Sequence, residues 1–493
     1  MNPVFDLIAV GLLVVATAVM GFAGVRVSRT TGDFFVASRS VRPVWNASAI
    51  SGEYLSAGTF LGLAGLVLLS GSEGFWFPIG YAAGYLLVLL FVAAPLRRSG
   101  AYTIPDFVQA RLRSLAARRI TSIVVLVIGW LYIVPQMHGA ALSLGVVAGM
   151  PRWAGAVVIA VLVAAIVAAG GMRAITAVQA MQYWIKLTAL ALPAIVMLIV
   201  LFGADTRIDP AEAFPVEAGP AGTDAYATLS LLFALLLGTI GLPHVLVRFY
   251  TSPNGASARH TTVLVIVMIG LFYAASSTMG LIARVVAPEM AEAGLADTVV
   301  LALPTKVLPG LAGQLLTALI VAGAFAAFLG TASGLVVSLA GVVSQELFGG
   351  TVRGFRISAV LCTLVPLVWS LITIGEGLVS SVGTVFVFAA SSLTPVILLG
   401  VWWSRLTARG AIAGMLVGAA SCGGALIAFR IVGPDHGLWS SLLAQPGAWT
   451  IPLSALAVVV VSLLDRRRRP PSEGFLSRLQ RPDPAPRGMG GRD

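Results

Sequence analysis

Ser51-Gly-Glu-Tyr-Leu-Ser-Ala-Gly-Thr-Phe-Leu-Gly62 lies in the middle of an apolar segment running from about Val44 to Ser70. That segment is long enough to cross a bilayer, which takes ~20 residues. Its centre is unlike a lipid-facing helix. Gly52, Ser56, Gly58 and Gly62 are small, Ser51, Tyr54 and Thr59 bear hydroxyls, and Glu53 is a carboxylate. A charge at the bilayer centre costs at least ~2.5 kcal/mol, so Glu53 is expected to face a partner or a wet cavity. An opened helix at membrane depth is tolerated only where protein buries it or water lines it. The stretch therefore predicts a broken helix whose freed carbonyl and N–H groups form an ion and substrate site.

The rest of the chain agrees with a membrane setting. Of its 493 residues 58% are hydrophobic and only 10% charged, against about 25% charged in soluble proteins. The apolar runs recur along the whole length, which reads as one polytopic domain. The net charge of +11 is nearly all arginine in short loops, so membrane orientation accounts for it and no nucleic-acid partner is expected. Cys362 and Cys422 have no metal spacing and read as small packing residues. His138, His244, His260 and His436 are scattered, with no HExxH or GxSxG context, so no enzyme and no catalytic residue is expected. The N-terminal segment lacks the basic start of a cleaved signal and is expected to be a retained helix.

Hydropathy gives about thirteen spans, at about 5–25, 44–70, 75–96, 120–149, 154–171, 174–203, 226–247, 261–286, 311–344, 357–376, 379–403, 410–431 and 449–464. Arginines cluster on alternate loops: Arg26, Arg29, Arg39 and Arg42; Arg97, Arg98, Arg111, Arg113, Arg118 and Arg119; Arg173; Arg248 and Arg259; Arg353 and Arg356; Arg405 and Arg409; and Arg466 to Arg469. The positive-inside rule makes these loops cytoplasmic, with the N-terminus outside and the C-terminus inside a multi-pass cell-membrane protein. The opposite loops carry Asp205, Asp209, Glu212, Glu217 and Asp224, then Glu289, Glu292 and Asp297. The tail 465–493 is rich in Arg, Pro and Gly and is expected to be a disordered, basic, cytoplasmic segment near anionic lipid.

Three segments look interrupted: the stretch quoted above, Gly238-Thr-Ile-Gly-Leu-Pro-His244, and Ala326-Ala-Phe-Leu-Gly-Thr-Ala-Ser-Gly334. In the second, Pro243 removes a backbone donor. The first two are five spans apart and point in opposite directions. Paired broken helices in two halves of a chain point to a transporter built from inverted repeats, here about 44–203 and 226–403 within a transmembrane domain of 1–464. Pro95, Pro193 and Pro395 are expected to kink their helices.

In this order the motifs resemble the sodium:solute symporter family, nearest its cation/acetate (monocarboxylate) branch. The residues that carry the likeness are Thr31-Gly-Asp-Phe-Phe-Val-Ala37, Ser51 to Gly62, Tyr102-Thr-Ile-Pro-Asp-Phe107, Leu131-Tyr-Ile-Val-Pro-Gln-Met-His-Gly-Ala140, Gly170-Gly-Met-Arg173, Gly241-Leu-Pro-His-Val-Leu-Val-Arg-Phe249 and Ser338-Leu-Ala-Gly-Val-Val-Ser-Gln-Glu-Leu-Phe348. The resemblance implies an all-α, LeuT-like (amino acid-polyamine-organocation-type) fold with two inverted five-helix repeats, and secondary transport driven by a cation gradient. It also implies a Na+ site formed by the carbonyls of Gly52, Leu55 and Ala327 and by side chains at Gly330 and Thr331. Gly330 departs from the pattern, since it has no hydroxyl, and Ser333 or a water is the expected substitute. Coupling is expected to be to Na+, with H+ as the alternative and Glu53 as the coupling group, or else a paired structural carboxylate. No organic cofactor is implied.

For the substrate, Gly80-Tyr81 is followed by Ala82 and Ala83, so the acidic sugar partner of the family's sugar carriers is missing. Thr59, Tyr132, Gln136, His138, Gly241 and His244 remain as pocket candidates. They offer few hydrogen-bonding groups and no carboxylate for an amine, and free N–H groups at half-helix ends suit a small anion. A monocarboxylate such as acetate, propionate or pyruvate is expected, with another small solute such as an amino acid as the alternative. Gln136 reads equally as interhelical glue, and His138 and His244 as packing residues. Lys186 is given no function. The sequence sets no oligomeric state.

Overall fold

The computed structural model describes residues 2–25, 41–203, 223–373, 377–433, 437–466 and 474–481. The motif 31–37, Arg26, Arg29, Arg39, the acidic cluster Asp205 to Glu217 and His436 lie outside these residues. Every described regular element is helical.

Helix α1 is Pro3–Val25. Helix α2, Pro43–Tyr54, stops at Leu55 (φ −76°, ψ 95°), and the chain resumes through a π-helical turn at Gly58–Gly62 into α3, Leu63–Ser70. Helix α2 can break here because its neighbours take over the freed groups. It can also lie close to the helix that carries Gln179, since a Cβ on Gly52 would fall 2.1 Å from the Gln179 carbonyl oxygen. After Gly71 (φ 54°) the chain folds back into α4, Trp76–Phe91. Then follow α5, Leu115–Ala148, α6, Arg152–Met172, and α7, Ala174–Gly203, with a kink at Gly171 (φ 59°, ψ −163°) just before the last two join.

Helix α8, Thr223–Gly241, ends before Leu242 (φ −81°, ψ 112°), and Pro243 opens the short α9, Pro243–Val247, at a bend of 41°. The series continues with α10, Gly255–Val286, α11, Leu311–Leu347, α12, Val352–Ile372, α13, Leu378–Ser392, and α14, Thr394–Trp402. It closes with α15, Ala408–Val432, and α16, Gly447–Leu464. Among the described residues ten helices are long and apolar enough to cross a membrane, and two bent pairs bring the number to twelve, against about thirteen expected from hydropathy.

Two expectations need correcting. The third interruption is absent: α11 is continuous for 37 residues. Its small residues serve close packing against α1, α5, α7 and α12, and the Ser333 hydroxyl bonds back to the Gly330 carbonyl of its own helix at 3.1 Å. The third bend instead separates α13 from α14 by 40°, beside Pro395. The tail is also not wholly unstructured, because Phe475–Gln480 forms a short helix with Phe475 and Leu479 buried. Arg98 donates to the Leu479 carbonyl at 2.6 Å and Gln480 to that of Val401 at 2.9 Å, which anchors it.

The loop arginines draw one end of the bundle together. Arg97 donates to the Ser252 and Pro253 carbonyls. Arg118 pairs with Asp106 at 2.8 Å and Glu346 at 2.5 Å. Two arginines counted among loop charges are structural. Arg111 is buried and donates to the Gly400 and Trp403 carbonyls, both at 2.8 Å, and Arg248 is buried within the bundle.

Candidate functional site

The break after Tyr54 frees the carbonyls of Gly52, Glu53 and Leu55 from helical bonding, and each has a buried partner. Thr331 Oγ1, on α11, donates to the Glu53 carbonyl at 2.6 Å and lies 3.4 Å from that of Leu55. Lys186 Nζ, on α7, donates to the carbonyls of Gly52 and, at 2.9 Å, Leu55. The freed N–H of Ala57 is held by Gln136 Oε1 at 2.8 Å, while Gln136 Nε2 returns to the Tyr132 carbonyl at 3.2 Å. Gln136 therefore braces the break open rather than offering a free amide. Thr59 bonds locally to the Ser56 carbonyl at 3.0 Å, and Ser276 Oγ donates to the Thr59 carbonyl at 3.1 Å.

The residues that resemblance assigns to a Na+ site come together here. Gly52 and Leu55 face Gly330 and Thr331, with Ala327 one turn earlier on α11 and buried. A Cβ on Gly330 would lie 2.8 Å from Gln182 Oε1, 2.9 Å from the Gly52 carbonyl oxygen and 3.0 Å from Lys186 Nζ. The gap left by the missing side chain is filled by lysine. As arranged, the donor set does not fit a sodium ion: two of its carbonyls already accept from an ammonium, and Ser333 supplies no hydroxyl to it.

Glu53 meets Arg248, the residue after α9, with Nε 2.6 Å from Oε2 and both side chains buried. Arg248 also donates to Thr176 Oγ1 at 2.9 Å and to Gln179 Oε1. Gln179 Nε2 in turn donates to the Gly330 carbonyl at 2.8 Å. One polar network thus joins both broken helices to α7 and α11. The alternative reading of Glu53, a paired carboxylate, describes its contacts here.

Between the breaks lies an aromatic cluster. Tyr54 meets Tyr85 edge-on with centroids 4.7 Å apart, Tyr81 meets Phe386 at 4.8 Å, and Tyr132 meets His244 at 5.2 Å. Tyr54 Oη lies 3.2 Å from Thr239 Oγ1 on α8. Ser56 Oγ, Tyr85 Oη, Tyr273 Oη and both His244 ring nitrogens are buried without a hydrogen-bond partner in the protein. Such groups are costly unless a ligand or water meets them.

Among the other predicted pocket residues, Gly241 packs against α13, where a Cβ would fall 2.5 Å from the Ala389 carbonyl oxygen. His138 Nε2 lies 3.1 Å from the Ser370 carbonyl on α12, so it is bonded to a helix other than the broken ones. Sequence reasoning passed over Lys186 and Arg248. The available signals were a lone lysine inside an apolar span, and an arginine only five residues past the proline of a broken helix.

A model described as the sodium:solute symporter family matches residues 34–418 of the chain. The chain is 30% identical to an uncharacterized symporter, YwcA, of Bacillus subtilis (strain 168), with 91% of this chain and 92% of that protein covered. It is 29% identical to a monocarboxylic acid transporter of Corynebacterium glutamicum, with 94% and 92% covered. Among solved structures, its fold is similar to that of a substrate-bound, outward-open Na+-coupled sialic acid symporter. That match has a TM-score of 0.70 at 13% identity, over 94% of this chain and 98% of that one.

Proposed function

The chain belongs to the sodium:solute symporter family, and from that premise we propose that it couples a cation gradient to uptake of a small monocarboxylate by alternating access. Acetate, propionate and pyruvate are the candidates. The observation that carries the reading is the set of buried polar atoms without a partner among the described residues, the Tyr85 and Tyr273 hydroxyls and the His244 nitrogens. The carboxylate beside them, Glu53, holds Arg248 through Oε2, which balances its charge, while its Oε1 has no partner among the described residues. A small anion with a short apolar body matches donors set among aromatic rings. The name of the Corynebacterium relative supports the same substrate class.

In this proposal Tyr132 and His244 touch the solute. Thr59, Gln136 and Gly241 hold the breaks in shape around it, and His138 stands outside the pocket. The repeats are 44–203 and 226–403, and the arginine-bearing end faces the cytoplasm of a cell-membrane protein. Sodium is the first coupling ion to test, because the family and the sialic acid symporter are described by it. Protons are the second reading, favoured by Lys186 on the Gly52 and Leu55 carbonyls.

The test is uptake of radiolabelled acetate by proteoliposomes under imposed sodium or pH gradients. Saturable, gradient-dependent uptake competed by propionate but not by proline or glucose is expected. Competition by proline or glucose alone would overturn the substrate class.

A further inference from the structure

We propose that Lys186 is the resident cation of the oxygen cluster at the first helix break, so that this cluster takes no sodium ion. The inference rests on the symporter reading above and concerns its coupling ion. Lys186 Nζ donates to Gly52 and Leu55, the two carbonyls of α2 that the resemblance assigns to sodium. Thr331 uses its hydroxyl proton on the neighbouring Glu53 carbonyl. A hard cation needs several oxygens free to turn their lone pairs inward, and here they already turn toward an ammonium. A second positive charge sharing the same carbonyls would be repelled at contact distance.

Gly330 makes the case independently of those bonds. The family pattern expects a hydroxyl side chain there, yet any Cβ would stand 3.0 Å from Lys186 Nζ, against Gln182 Oε1 and the Gly52 carbonyl oxygen. Gly330 and Lys186 thus share one space: where the ligand side chain is missing, a tethered cation stands. Lys186 is also the only lysine in a membrane span, since the chain's other lysine, Lys306, pairs with Glu289 outside the spans.

The test is binding of 22Na+ to the full-length purified chain, read as the amount that Thr331→Ala removes. In the natural chain the Thr331-dependent binding should be nil. The pair Lys186→Ala with Gly330→Ser should gain saturable, Thr331-dependent binding, because it removes the tethered cation and supplies the hydroxyl. Saturable binding in the natural chain that Thr331→Ala abolishes would overturn the proposal. So would a well-folded pair, monodisperse on size exclusion, that binds none; if the pair does not fold, the natural chain alone decides. Failure of acetate uptake under every gradient would instead count against the transport reading, which the 22Na+ measurement does not depend on.

Discussion

Arg248 of the second broken helix reaches across the molecule to Glu53 of the first, Nε to Oε2 at 2.6 Å, with both side chains almost completely buried. The pair spans 195 residues of sequence. It fastens the two breaks to each other. Replacing one partner leaves a buried charge uncompensated, which costs about 3–5 kcal/mol. Arg248→Ala should therefore lower the thermal midpoint in detergent more than Glu53→Gln, which keeps an acceptor for the guanidinium. Midpoints unchanged by Arg248→Ala would show that the pair contributes nothing.

Gly330→Ala should be destabilising far beyond a surface glycine, because its methyl group meets Lys186, Gln182 and the Gly52 carbonyl. Overpacking of this kind costs about 1–3 kcal/mol. Combining it with Lys186→Ala should recover part of the loss, a non-additivity expected of residues in contact. A double-variant cycle by chemical unfolding reads it, and strict additivity would contradict the shared space.

Gln136→Leu removes the acceptor for the Ala57 N–H while keeping volume. A buried donor left unmet costs about 1–3 kcal/mol, and the break has one brace fewer. Uptake should fall more than stability does. Gln136→Glu, which keeps an acceptor, should retain more transport, and equal loss in both variants would argue against the brace.

His244→Leu should raise the KM for acetate by about tenfold, equivalent to ~1.4 kcal/mol, while leaving expression and size-exclusion behaviour unchanged. Tyr132→Phe tests the neighbouring ring in the same assay. An unchanged KM in both would place the solute elsewhere.

Asp297, outside the spans, supplies a pH dependence. Burial raises its carboxyl above the ordinary 3.8, with the Leu378 N–H pulling it back; that bond is 3.0 Å. A carboxyl held above its unfolded value favours folding most below that value, and the advantage is lost as pH rises through the raised one. The thermal midpoint should decline over this acidic window in the natural chain. The Asp297→Asn variant should show a flatter curve, and parallel curves would refute the assignment.

Much of this architecture was legible because breaks in membrane helices announce themselves. Gly52, Ser56 and Gly58 marked the first, and Pro243 the second, since each conflicts with an uninterrupted lipid-facing helix. The small residues of 326–334 misled, because glycine and alanine serve close packing as readily as opening, and only the neighbours decide which. In sequence Arg248 reads as a loop charge, since one-dimensional position says nothing of depth, and for the same reason Lys186 carries no assignment. Its meaning depends on Gly330, 144 positions away, and emerges only when both face one set of carbonyls.

The Gln179 side chain accepts from Arg248 and donates to the Gly330 carbonyl. An amide has one accepting and one donating end, so it cannot be reversed here without offending both neighbours. If the guanidinium shifts during a transport cycle, this single hinge of polarity must follow, and α11 will feel it. The carrier's two halves would then keep time with each other through one uncharged side chain.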